Sequence, residues 1–153
     1  MKEFRFDFGG MRGWYKLVGR EVVALKGVPG VGEGFDSDRH VRVSITAASS
    51  ISTVFLCLDH NFFGEGPPLL FETMVFERSI TGLKDDEPLR DVGHDFGVMD
   101  RYATYDEAEA GHQKILDRIL ELERLAIELM PARRREVFER AQREAESVDF
   151  TMI

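Results

Sequence analysis

Several things are scarce in this chain. It has one cysteine, Cys57, so no disulfide can form within it, and the expected setting is reducing and cytoplasmic. It has no apolar run near the roughly 18 residues of a membrane span. Its start, MKEFRFDFGG, has no apolar core of a signal peptide, so no secretory leader is expected. Positive charge is short: 20 Lys and Arg stand against 28 Asp and Glu, a net charge of −8. That balance disfavours non-specific nucleic-acid binding. Arg133-Arg134-Arg135 is a local exception, read as a solvated helix face. Complete catalytic signatures are missing too. There is no Gly-x-Ser-x-Gly, no His-Glu-x-x-His and no paired Cys-x-x-Cys. The glycine-rich stretch Lys26 to Asp38 has no Gly-Lys-Ser/Thr after it and reads as a loop, not a phosphate cradle.

What is present is enough for one core. The 153 residues are 43 % apolar and include 12 Phe, so folding requires no metal or disulfide staple. Phe4, Phe6 and Phe8 alternate with charged residues, which predicts a strand with one buried face. Trp14 to Val18 and Glu21 to Leu25 predict a hairpin around Gly19-Arg20. Val41, Val43 and Ile45 predict a half-buried strand. The densest signal is Ser52 to Phe76, STVFLCLDHNFFGEGPPLLFETMVF. It predicts a β-hairpin through the core: a central strand Ile51 to Leu58 covered on both faces, a polar tip Asp59 to Pro68, and a return strand Leu69 to Phe76. Arg78 to Asp100 reads as a long polar connection carrying His94 and Asp95.

Thr104-Tyr-Asp-Glu107 is a capping box. Ala108, Ile115, Ile119, Leu122, Ala126 and Leu129 then recur at helical spacing, which predicts an amphipathic helix of about 25 residues. Pro131 breaks it, and Ala132 to Ser147 predicts a second helix with a thin stripe of Val137, Ala141, Ala145 and Val148. The expectation is an α+β fold: an antiparallel sheet of five or six strands packed by the first helix, in one domain over 1–130. Residues 131–153 form a C-terminal helical extension whose thin stripe suits a homodimer contact through 132–147.

Four residues are candidates for chemistry. Asp59 and His60 at the hairpin tip are weak metal-ligand candidates, since an Asp–His pair completed by water can hold a divalent ion; ordinary turn hydrogen bonding is the plainer reading. Glu72 lies among apolar neighbours, where a carboxylate must be paired, protonated or part of a site. His112 falls on the inward helical stripe, within possible reach of Glu72. Gly111 beside it predicts close approach of helix and sheet. Cys57 reads as a buried small side chain.

The run from Ser52 to Phe76, followed by RYATYDEAEAGH at 101–112, resembles a set of small hypothetical proteins of actinobacterial phages and prophages. Matching positions are Ser52 to Leu56, Leu58 to His60, Gly66 to Phe76, Arg101, Tyr102, Thr104, Glu107, Ala108, Gly111 and His112. Cys57 stands where the resemblance expects Gly. The resemblance implies a shared fold and a phage or prophage origin, and no mechanism or cofactor. The resulting expectation is a cytoplasmic protein that acts on a host or phage protein by contact and not by catalysis. The alternatives are a small metal-dependent hydrolase or nuclease-like enzyme using Asp59, His60, Glu72 and His112, and a binder of a small nucleotide-like ligand with the two long loops as lids.

Overall fold

A computed structural model describes residues 13–26, 39–61, 65–80 and 99–148. The strand expected at Phe4 to Phe8, most of the two long loops, and His94 with Asp95 lie outside the described residues. The fold is α+β. Strands β1 (Trp14–Val18) and β2 (Glu21–Leu25) form an antiparallel hairpin. Strands β3 (His40–Ile45), β4 (Ser49–Phe55), β5 (Phe71–Glu77) and β6 (Met99–Tyr102) follow one another in a four-stranded antiparallel sheet. Helix α1 (Tyr105–Leu129) and helix α2 (Ala132–Glu146) complete the chain.

Period-2 patterning decides which side of the sheet is buried. Ile51, Thr53 and Phe55 of β4 lie opposite Val75, Thr73 and Phe71 of β5, and all six are buried. Helix α1 lies over this side and meets all four strands. Ile119 packs on Ile51 and Val75, while Ala108 joins Phe55, Leu70 and Phe71. Burying each such large side chain contributes roughly 1.5–3 kcal/mol. Phe71 stacks at a tilt on Phe55, with ring centroids 5.3 Å apart, and edge-on to Tyr105.

The start of α1 follows the capping-box expectation. The Thr104 hydroxyl accepts from the Glu107 amide at 3.2 Å, and the Glu107 carboxylate accepts from the Thr104 amide at 3.0 Å. Such a cap contributes on the order of 1 kcal/mol. The β1–β2 hairpin is tied to the same helix end. Arg20 sits 4.5 Å above the Tyr105 ring and forms ion pairs with Asp106 and Glu109. The backbone joins this hairpin to the end of β4 as well, through Tyr15 N–H to Cys57 C=O at 2.8 Å.

Several expectations change in detail. The central strand ends at Phe55, three residues before Leu58, because Cys57 takes a φ of 63°. That is the left-handed region, where a side chain is disfavoured and glycine is at ease. Helix α1 covers one face of β4, while Ser52 and Val54 on the other face are only half-buried. The connection expected at Arg78 to Asp100 ends in a strand, since Met99 to Tyr102 pairs with Phe71 to Met74. Leu129 is exposed, and Met130 takes its place in the core. Helix α2 is anchored by Phe138, which is fully buried with Ala47, Ala48, Ala126 and Met130, with Ala141 packed beside it. Val148 of the expected stripe is exposed.

Candidate functional site

The hairpin tip is held by its own side chains. Asp59 is buried, and its Oδ1 accepts from the amides of Asn61 at 2.8 Å and Leu69 at 3.0 Å. This is an Asx turn that closes the tip. Asn61 donates from its side chain to the carbonyls of Glu65 and Pro67. His60 turns its Nδ1 to the Leu58 carbonyl at 2.8 Å, so that nitrogen carries the proton and donates. Asp59 and His60 therefore meet backbone groups of the tip.

Glu72 finds a cross-strand partner. Arg101 lies opposite it in the β5–β6 register and donates Nε–H to Glu72 Oε2 at 2.8 Å. Both groups are on the side of the sheet away from α1, because Phe71 and Thr73, the neighbours of Glu72 in sequence, point toward the helix. A carboxylate in that position is stabilised by its ion pair.

His112 is on the opposite side and meets hydroxyls instead of Glu72. Its Nε2 lies 2.8 Å from Ser44 Oγ, and its Nδ1 lies 2.7 Å from Thr53 Oγ1. Thr53 in turn meets Thr73 Oγ1 at 2.6 Å. The ring is fully buried, and burial, helped by the nearby Arg42 charge, pushes its pKa down to about 4 from 6.5. At neutral pH the imidazole is uncharged, so one nitrogen donates and the other accepts. The network ties α1 to β3, β4 and β5.

A second polar tie is Glu123, also fully buried. Its Oε1 accepts from Thr46 Oγ1 at 2.5 Å and from the Ala48 amide at 3.0 Å. Arg78 reaches the same turn by donating to the Thr46 carbonyl. Glu123 Oε2 has no hydrogen-bond partner. Burial drives the Glu123 pKa up, opposed by the Thr46 and backbone hydrogen bonds and by the Arg78 charge. The sequence signal for Glu123 was its place between Leu122 and Ala126 on the inward stripe.

Near the start of α1 an open cleft of about 490 Å³ lies between β6 and the helix, lined by Leu69, Tyr102, Ala110, Gly111 and Lys114 among others. Tyr102 lies directly against Gly111, and a methyl group at Gly111 would overlap its ring. The Tyr102 hydroxyl is buried beside Thr73 without a hydrogen bond of normal geometry, and its pKa is raised by burial. Burial likewise raises the Cys57 thiol, outweighing the pull of Arg39, so Cys57 is held away from the reactive thiolate form.

The remaining surface of note is the far side of the four-stranded sheet. The registers place Val43, Ser52, Met74 and Met99 in one row across it, and Ile45, Ser50 and Phe76 in the next. None of the five apolar residues in these rows belongs to the buried clusters. Phe76 is 47 % exposed and Met99 is 48 % exposed. Among the described strand positions on this side, the ion-paired Glu72 and Arg101 are the only acidic or basic residues apart from His40. Sequence reasoning assigned Phe76 to the core because it continues an apolar run, and only the register shows that it faces outward.

Asp59, His60, Glu72 and His112 thus engage separate sets of partners. Among the described residues no three His, Cys, Asp or Glu side chains gather closely enough to hold a metal ion, and no helix is long and apolar enough to cross a membrane. No protein-family model matches the chain, and searches of curated proteins and of solved structures found no match.

Proposed function

We propose that this protein works by contact with another protein, through the far side of its four-stranded sheet, and not by catalysis. The observation that carries this reading is the outward-facing set of Val43, Ile45, Val54, Met74, Phe76 and Met99, outside every described buried cluster. An exposed Phe and two Met among β-branched residues, beside a satisfied charge pair, suit a protein-binding surface. The candidate residues for chemistry support it from the other side, since Asp59, His60, Glu72 and His112 are each occupied by neighbours that stabilise the fold. The resemblance of the Ser52 to Phe76 and Arg101 to His112 runs to phage proteins fits a phage or prophage protein acting in a host cytoplasm.

The test is site-specific photo-crosslinking in a bacterial cell. A benzophenone side chain placed at position 76 or 99 should give protein adducts on irradiation, and the same group at exposed Glu121 of α1 should not. Adducts equal at all three positions, or at none of them, would remove the reading.

A further inference from the structure

We infer that the partner on this face is a second copy of the same chain, packed sheet against sheet about a two-fold axis. The inference rests on the reading of the far face as the working surface. The first argument is electrostatic. The chain carries a net charge of −8, and 31 % of its residues are charged, so two copies repel over most of their surfaces. The far face is the exception: its one acid and one base are adjacent, Glu72 opposite Arg101 at 2.8 Å. This pattern is self-complementary. In an isologous contact, residue i of one copy meets residue j of the other and j meets i. Stacked in that way, two such faces bring together apolar rows and two internally neutral pairs, with no unmatched charge on either side. A surface with a surplus of either sign could not do this with itself.

The second argument is shape and size. The face is a regular antiparallel sheet with apolar residues in rows, and sheets of this kind pack face to face about 10 Å apart. Four strands of four to seven residues give a face of roughly 20 by 20 Å at ordinary strand spacings. Two such faces bury on the order of 800 Å², and more once side-chain relief is counted. This is the low end of the interface range, the scale of a weak, concentration-dependent dimer. Helix α2 is not required for it, because Phe138 of α2 is already spent on the chain's own core.

The test measures the mass of the tag-free full chain across a concentration series. The expected result is a shift from 17.5 kDa to twice that value as concentration rises. Phe76→Glu and Met99→Glu, both at exposed positions, should raise the dissociation constant at least tenfold. Leu129→Glu, exposed on α1, should leave it unchanged. A single-chain mass at every concentration overturns the inference, as does a dimer that survives both face variants. The crosslinks separate the two claims. Adducts from position 76 to a second copy support both. Adducts to a different protein sink the dimer and leave the working surface standing. Adducts within one chain, to its own residues 1–12 with Phe4, Phe6 and Phe8, sink both.

Discussion

Strand β5 carries two phenylalanines five residues apart, and they live in different worlds. Phe71 faces α1, is fully buried, and touches Phe55 and Tyr105. Phe76 faces the other way and is 47 % exposed. Both come from the same apolar run, and only the pleat separates them. On the helix side the sheet has hydrophobic clusters pinned by two buried polar groups, His112 and Glu123. On the far side it has an apolar surface and one cross-strand ion pair. One face holds the fold together, and the residues of the other stand outside the described buried clusters.

The comparison makes quantitative demands. Phe71→Ala removes a large side chain from a packed cluster and should cost about 3–5 kcal/mol in urea unfolding. A cost below about 1 kcal/mol would mean that the helix side is not the core. The next effect belongs to His112. Its folded pKa lies below its unfolded value, so the unfolded chain takes up the proton first as pH falls. Its contribution is present above pH 6.5 and is lost as pH falls through about 4. At about 1.4 kcal/mol for each pH unit, the loss is on the order of 3 kcal/mol at most. His112→Gln keeps a donor and an acceptor but cannot titrate, so this part of the acid slope should vanish in the variant.

Glu123 runs the opposite way. Its folded pKa is raised, so its contribution is present below the ordinary carboxylate range and is lost as pH rises through the folded value. Glu123→Gln should therefore gain stability relative to the parent chain as pH rises from 4 to 8; a parallel pair of stability curves would contradict this. The smallest effect is at Phe76. Phe76→Ser should change unfolding stability by no more than about 0.5 kcal/mol, while weakening self-association. A large loss of stability there would show that the far face is packed and would collapse the distinction between the two sides.

Much of the helix side was legible in the sequence, because its signals are local. The Thr104–Glu107 box set the start of α1, and the stop before Pro131 followed from the missing amide. The apolar run from Ile51 marked β4 as a core strand, although it was expected to be covered on both faces and only the side of Ile51, Thr53 and Phe55 is fully buried. What escaped depended on contacts across the chain. Met99-Asp-Arg-Tyr102 is too polar to announce a strand, and pairs only because Phe71 to Met74 lie beside it. Phe138 sits among charged residues, and its pocket is built by Ala47, Ala48, Ala126 and Met130 from elsewhere. For the candidate site, the tip chemistry of Asp59 was readable as a turn. The company of His112 was not, since Ser44 and Thr53 come from other strands.

Cys57 gives the molecule a built-in clock. The thiol is buried at the joint between the end of β4 and the β1–β2 hairpin, and burial keeps it protonated. A thiol reagent can reach it only when that joint opens, so the labelling rate of this one side chain counts opening events. Because there is no other cysteine in the chain, the count needs no correction. If the joint opens alone, labelling runs far ahead of global unfolding. If it opens only with the sheet and α1, the two rates converge, and hairpin and sheet form one cooperative unit.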